Sequence, residues 1–304
     1  MLSGTIYVEV QKIKDPKQRQ RLAAIMEELT DFNTLVNRPV LMALEMSAFL
    51  DPIAKFPSPT SKIPLVGHGV RHAFGVSSGF SIMGPSGDET ESFRQRYGAD
   101  AFDAYMSDSI LKMERYILCG PADSQDEVDL RKFGYKPEGP AAFAEKRVEQ
   151  EREFKRILDA DPKSRRERLD DYVSTRELLI EFQDILPRAL NQRGLVLTDA
   201  MHDPESGRRL VRSMPSTDVS IALKAAWHRN GQREWALNDI YDIDALALAT
   251  PYCDVVVTEK ACHHILKTAQ MDERMNTSLL HRLTDLPEVL ENQMPKRHAS
   301  TKIM

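Results

Sequence analysis

The chain has 304 residues, of which 41% are hydrophobic and 29% charged, with a formal net charge of −5 and a pI near 6.0. This length accommodates one large domain or two ordinary ones, and the composition is that of a folded protein rather than a disordered one. The negative charge excludes a general attraction to nucleic acid, so any such binding must come from local Lys/Arg clusters or metal ions. Three irregularly spaced cysteines and no secretory leader favour a cytoplasmic location. No apolar run reaches the roughly 20 residues that cross a bilayer, so we expect no membrane insertion.

The first 50 residues predict one strand followed by two helices. Ile6, Val8 and Val10 alternate with Tyr7 and Glu9 in the opening decapeptide MLSGTIYVEV, which is typical of a short strand. The sequence DPKQRQRLAAIMEELTDF predicts an amphipathic helix that begins at its aspartate and proline. A second helix, nearly buried all round, is predicted for RPVLMALEMSAFL.

The middle of the chain changes in character twice. Between residues 52 and 92, Pro, Gly and Ser recur, which predicts a long irregular loop. From about residue 91 to residue 190 the pattern is helical and highly charged. We interpret these charges as solvated helix faces that carry i,i+4 ion pairs.

The last third returns to a mixed helix and strand pattern. The segment MPSTDVSIALKAAWHRN predicts a helix capped by Ser216 or Thr217. NDIYDIDALALAT predicts a further helix that ends at Pro251. The apolar run CDVVVT that follows predicts a strand of the kind that parallel sheets bury on both faces.

Acidic residues cluster around this last helix and strand. Asp239 and Asp242 lie three residues apart on one helical face, and Glu259 follows the strand. Because α/β sheets build their sites at the carboxyl ends of parallel strands, these three carboxylates are expected to meet there. Converging carboxylates are the usual ligands of Mg²⁺ or Mn²⁺ in phosphoryl chemistry. Asp244 points about 200° away from Asp242 around the helix and is left out.

Two alternatives to this cation site stay open. Asp239 and Asp242 could serve only to cap their helix and complement its dipole. Cys253 and the run Cys262, His263 and His264 could instead form a zinc site, although their spacing matches no tight ligand motif.

Basic residues near the end of the preceding helix are candidates for nucleic-acid binding. They are Lys224, His228, Arg229 and Arg233, and Trp227 or Trp235 could stack a base beside them. The alternative is an exposed helix end that packs its tryptophans into the core.

The stretch NDIYDIDALALATPYCDVVVTEK resembles the C-terminal half of PIN-like nuclease domains, in which an acid opens a helix and a second acid follows a short strand. On this resemblance Asp242 matches the helix-opening acid, Asp239 is its neighbour, and Glu259 stands where the family has Asp. The opening segment LSGTIYVEV is similar to the family's second segment, so Glu9 matches the second acid, with Glu45 as a weaker candidate. The family's first strand and its Asp have no counterpart, and we expect either a longer reading frame or a truncated homologue.

The resemblance implies a three-layer α/β/α sandwich around a parallel sheet, with a large, mostly helical insertion. Residues 1–55 and 196–304 would form the two parts of the PIN-like domain, and residues 56–195 the loop and helical insertion.

The function that the resemblance implies is that of an Mg²⁺- or Mn²⁺-dependent endonuclease, with RNA favoured over DNA. Its ligands would be Glu9, Asp239, Asp242 and Glu259. A toxin role, with an inhibitory partner protein, is compatible with this activity. The alternative is a catalytically impaired binding or regulatory protein that lacks the first acid.

Overall fold

The computed structural model describes residues 1–56, 63–76, 80–132, 135–136 and 138–297. Helices account for most of these residues. In chain order the helices are α1 (Gly4–Gln11), α2 (Pro16–Thr30), α3 (Arg38–Leu50), α4 (Gly69–Ala73), α5 (Thr90–Tyr97), α6 (Ala99–Cys119), α7 (Ser124–Lys132), α8 (Glu138–Ala160), α9 (Pro162–Glu167), α10 (Leu169–Ile180), α11 (Ile185–Gln192), α12 (Leu197–Ala200), α13 (Pro204–Arg212), α14 (Pro215–Arg229), α15 (Leu237–Tyr252), α16 (Lys260–Thr268), α17 (Met271–Met275) and α18 (Leu286–Arg297).

The strands are short and pair only two by two within the described ranges. They are β1 (Asn33–Leu35), β2 (Val66–His68), β3 (Met83–Gly84), β4 (Gly87–Asp88), β5 (Val255–Val257) and β6 (Ser278–Leu280). The pairs β1–β2 and β3–β4 are antiparallel, and β5–β6 is parallel. The predicted three-layer sandwich around a parallel sheet is therefore wrong, because strands of two or three residues provide no sheet for helices to cover on both faces.

The chain divides into two compact units. The first contains residues 1–40 and 61–142, and the second contains residues 41–60 and 143–304. The idea that residues 56–195 are an insertion stays a prediction. In the described part of the chain, no helix has both the length and the apolar character that a membrane crossing requires.

The opening segment of the first unit forms helix α1 rather than the predicted strand. Gly4, Tyr7 and Val10 are its buried residues, at a spacing of three that matches a helix and not the alternation of a strand. Tyr7 and Val10 pack in one core with Phe32 and Leu118. Burial of this helical stripe explains why the β-branched alternation misled the prediction.

The helical character predicted for residues 91–190 is confirmed by α5 to α11. The predicted loop before it is only partly irregular, since it contains β2, α4 and the β3–β4 hairpin. Residues 57–62 and 77–79 of that stretch lie outside the described residues.

Helix α14 packs against both α10 and α15 in the second unit. The two helices predicted here are confirmed as α14 and α15, although α15 continues one residue past Pro251. Neither Ser216 nor Thr217 caps α14, whose N-cap position is Met214. Instead, the buried Glu45 of α3 accepts hydrogen bonds from the Ser216 N–H at 2.9 Å and the Ser216 hydroxyl at 2.6 Å.

A parallel strand–helix–strand unit follows α15. Val255, Val256 and Val257 of β5 pair with Ser278, Leu279 and Leu280 of β6, and α16 and α17 lie between the strands along the chain. The predicted strand is confirmed, but Val256 alone among its three residues is buried. Burial on both faces was therefore wrong, because this sheet contains two strands rather than a layered core.

Candidate cation site

The end of β5 positions two side chains at the start of α16. Glu259 comes two residues after the strand and occupies the N-cap position of α16, with extended backbone. Cys262 lies in the first turn of that helix and is fully buried. The Cys262 Sγ donates to Glu259 Oε1 at 3.5 Å. The i,i+3 spacing on the helix therefore brings a thiol to the exposed carboxylate.

Helix α15 adds a second carboxylate to this pair. One ligand atom each from Asp242, Glu259 and Cys262 lies within 4.8 Å of the other two. Asp242 is half-buried and Glu259 is exposed, so the group is open to solvent on one side. We call this group the acidic triad. It unites two of the four predicted ligands, and the role of Cys262 beside them was missed even though it follows Glu259 by three residues.

The acidic triad holds its thiol in the protonated form. Burial raises the pKa of Cys262 to about 12, and the carboxylates of Glu259 and Asp242 add to that shift. The positive charge of Arg233 opposes this shift. Two carboxylates beside a protonated thiol form a negatively charged group of the kind that attracts a cation.

The donor set fits a hard divalent cation. Mg²⁺ is commonly held by one or two carboxylates and keeps several waters, which the open side of the triad can accommodate. A protonated thiol is a poor ligand for such an ion. Zn²⁺ would instead require the thiolate, and hence the loss of the Cys262 proton.

Asp239 has a different position from the one expected. Its Oδ2 accepts a hydrogen bond from the Ala236 N–H at 2.8 Å, and its Oδ1 accepts from Arg233. Asp239 therefore caps the start of α15, and the capping alternative applies to it but not to Asp242. The expectation that both aspartates would point together does not agree with this geometry.

Glu9 and Glu45, matched to the second acid by resemblance, both have structural partners. Glu9 is exposed on α1 in the first unit, where its carboxylate lies 2.5 Å from the Lys12 ammonium. Glu45 is buried in the second unit and binds the start of α14. Neither belongs to the acidic triad.

Of the four residues considered as zinc ligands, only one lies in a group of possible metal-ligating atoms within the described ranges. Cys262 belongs to the acidic triad, whereas the ring of His263 packs against that of His281 at a centroid distance of 5.0 Å. Cys253 directly follows α15, and burial raises the pKa of its thiol. Within the described ranges, no group of metal-ligating atoms includes Cys253, His263 or His264.

Two of the four residues predicted to meet nucleic acid are buried. The Lys224 ammonium lies 2.6 Å from Glu177 Oε2 and 3.2 Å from Glu151 Oε1. His228 Nε2 lies 2.9 Å from Glu151 Oε2. We call these four residues the buried charge cluster. Lys224 and His228 are 1% and 2% exposed, so neither can reach a nucleic-acid strand in this structure.

The other two predicted residues are accessible. Arg229 is exposed and pairs with Asp170 at 3.0 Å. Arg233 pairs with Asp239, and its guanidinium lies 4.5 Å from the ring centroid of Trp227. Both Trp227 and Trp235 are buried and contact each other edge to face, which agrees with core tryptophans rather than base-stacking ones.

Replacing His228 with glutamine should weaken the pH dependence of stability. Burial lowers the pKa of His228 below its ordinary 6.5, Arg176 and Lys224 add to the shift, and Glu151 opposes it. As pH falls through 6.5, the unfolded chain therefore takes up a proton at His228, whereas His228 in the folded chain stays neutral. The free energy of unfolding consequently decreases with acidification. Urea unfolding between about pH 7.5 and about pH 5.5 measures this slope, to which one histidine contributes at most about 1.4 kcal/mol per pH unit. Equal slopes for wild type and variant would contradict the expectation.

No family model matches the chain, and searches of curated proteins and of solved structures found no match either. The resemblance to PIN-like nucleases stays a prediction that depends on residues 238–260. The acidic triad does not depend on this resemblance, because its three ligand atoms lie within 4.8 Å of one another.

Proposed function

We propose that the protein is a divalent-cation-dependent hydrolase of phosphodiester bonds, acting on RNA in preference to DNA. The convergence of Asp242 and Glu259 at the carboxyl end of a parallel strand is the observation that carries this proposal. Asp242 lies in α15, before β5 in the chain, and Glu259 stands at the N-cap position of α16, after β5. Such a pair of carboxylates has the chemistry that Mg²⁺ or Mn²⁺ requires.

The three side chains of the acidic triad have different roles in this proposal. Asp242 and Glu259 would hold the cation, and the Cys262 thiol keeps the Glu259 carboxylate oriented through its hydrogen bond. When bound, the cation supplies an activated water and neutralises charge on the phosphate oxygens. The exposure of Glu259 leaves the approach to this group open to a substrate.

Substrate approach would depend on Arg233 rather than on Lys224 or His228. The charge of Arg233 acts on the Cys262 thiol, and its guanidinium is pre-positioned between Asp239 and the Trp227 ring. An arginine held in this way can meet a phosphate next to the cation. In this role the chain would act in the cytoplasm, where its three free cysteines stay reduced.

Replacing Asp242 with asparagine should reduce cleavage of single-stranded RNA by about 100-fold or more, because it removes one of the two anionic ligands. The assay uses purified protein with Mn²⁺, and parallel reactions with Mg²⁺ and Zn²⁺ identify the preferred ion. Asp254→Asn is the matched control, since Asp254 is exposed and stands at the opposite end of β5 from Glu259. Equal cleavage by wild type and Asp242→Asn would rule out the assigned site. In the toxin role, slow growth on expression should be relieved by the same substitution.

A cation-binding protein without catalysis is the second candidate, because two carboxylates rather than the predicted four converge in the acidic triad. Calorimetric titration with Mn²⁺ separates the two. Binding that Glu259→Gln weakens, in a chain that cleaves no RNA, would favour the binding protein. No cation binding at all would contradict both.

A further inference from the structure

A large cleft in the second unit lies apart from the acidic triad. It has a volume of about 970 Å³ and is bounded by α10, α13, α14, α16 and α17. None of Asp242, Glu259 and Cys262 lines it. We call it the arginine cleft, after the guanidinium groups in its walls.

One face of α14 forms the floor of the arginine cleft. The lining residues follow the helical spacing of three and four from Asp218 to Asn230, which spans about 18 Å at about 1.5 Å per residue. Short apolar side chains fill the central part of this face. They are Ile221, Ala222, Ala225 and Ala226. This apolar part spans about 8 Å at about 1.5 Å per residue, and it suits the body of an organic molecule rather than a bare ion.

The walls carry four arginines and three aspartates. The pairs Arg208–Asp171 and Arg229–Asp170 lie at 3.0 Å and are largely exposed, and Arg274 pairs with the buried Asp218. Exposed ion pairs contribute little, so an incoming phosphate can displace a carboxylate from a guanidinium at low cost.

The end of the cleft near Asp218 is the best place for a phosphate. Arg212 lines this end and is exposed, and among the residues that the structure describes no carboxylate lies within ion-pairing distance of its guanidinium. Arg274 lines the same end. Burial raises the pKa of Asp218, while the charges of Arg274 and Arg212 oppose that shift.

The balance of charges argues against a nucleic-acid strand. Positive groups in the walls outnumber negative ones by a single charge, which is too little to attract a polyanion. A molecule with one phosphate and several hydroxyl or amino groups matches the lining better. Arginines bind the phosphate, and aspartates accept hydrogen bonds from the hydroxyl or amino groups.

We propose that the arginine cleft binds a nucleoside monophosphate, with its phosphate on Arg212 and Arg274 and its ribose and base along the α14 floor toward Asp170. The site is independent of the proposed hydrolase centre, because the two share no lining residue. Helix α16 contributes His264 and Ile265 to the cleft and Cys262 to the acidic triad.

Calorimetric titration of the full chain with adenosine monophosphate tests the proposal. We expect binding by the wild type and about tenfold or greater weakening by Arg212→Gln, because a charge-assisted contact is lost. Arg209→Gln is the matched control, since Arg209 is exposed on the same helix and does not line the cleft. Asp242→Asn should bind the nucleotide like the wild type, whatever its effect on RNA cleavage.

Three further ligands separate the possible sources of affinity. Adenosine lacks the phosphate, inorganic phosphate lacks the nucleoside, and ribose 5-phosphate lacks only the base. The affinity that each of them loses measures the contribution of the missing part. We expect all three to bind more weakly than adenosine monophosphate. The proposal is overturned by no nucleotide binding at about 1 mM, by equal affinity of Arg212→Gln and Arg209→Gln, or by any of the three ligands binding as tightly as the nucleotide.

Discussion

Replacing Lys224 with methionine should lower the free energy of unfolding by about 3–5 kcal/mol, because it leaves two buried carboxylates without their shared cation. Glu151 and Glu177 are each no more than 2% exposed, and both contact the Lys224 ammonium. Methionine preserves much of the side-chain volume but none of the charge. Urea unfolding followed by circular dichroism measures the loss. Lys146→Met on the exposed face of α8 is the control, and we expect it to change stability by no more than about 0.5 kcal/mol.

A second substitution separates lost charge from lost packing. In the Lys224→Met chain, changing Glu177 to glutamine removes the carboxylate charge that lies 2.6 Å from the ammonium in the wild type, while keeping the shape of the side chain. The double variant should therefore be more stable than Lys224→Met alone, since residues in direct contact do not contribute additively. If Lys224→Met is as stable as the wild type, or if the second change lowers stability further, the buried charge cluster does not act as described.

The buried charge cluster also shows where sequence reasoning fails. Lys224 and His228 lie at helical spacing next to Arg229, and from sequence alone this is the pattern of a basic surface. Their partners are on other helices far along the chain, Glu151 on α8 and Glu177 on α10. A buried charge needs a partner, and nothing in the local sequence identifies a partner so distant.

Local elements were predictable where propensity and tertiary burial agree. Helices α14 and α15 and strand β5 are confirmed as elements, although α14 also buries Lys224 and His228 and only Val256 of β5 is buried. The number of strands that pair with β5 depends on distant segments, so the sandwich did not follow from its sequence. The segment of α1 satisfied both a strand and a helix pattern, and burial of Tyr7 and Val10 decided between them.

The candidate site was predictable in the same partial way. Helical geometry correctly separated Asp244 from Asp242, and Asp244 pairs with Arg147 instead. The same geometry could not decide whether Asp239 caps its helix or joins the site, because both roles place an acid in the first turn. Glu259 was predictable as a site residue because it follows the carboxyl end of a strand, where α/β proteins place their sites.

Replacing Glu45 with alanine should lower the free energy of unfolding by about 2–4 kcal/mol, because three hydrogen-bond donors lose their acceptor together. Its carboxylate accepts from the Ser216 N–H, the Ser216 hydroxyl and the Tyr252 hydroxyl, the last at 2.6 Å. It therefore ties the start of α14 to the end of α15, the two helices that carry the floor of the arginine cleft and Asp242. The Tyr252 hydroxyl stays protonated, since burial and then the Glu45 charge raise its pKa well above the ordinary value.

The matched control for Glu45→Ala is Glu45→Gln, which keeps an oxygen acceptor but removes the charge. The glutamine variant should recover part of the lost stability, because its amide oxygen can still accept from the Ser216 N–H. Ser216→Ala should cost less than Glu45→Ala, since it removes the hydroxyl and leaves the backbone N–H bound to Glu45. Equal unfolding free energies for wild type and Glu45→Ala would show that this buried carboxylate does not hold the helix start, and its role as a cap would then be wrong.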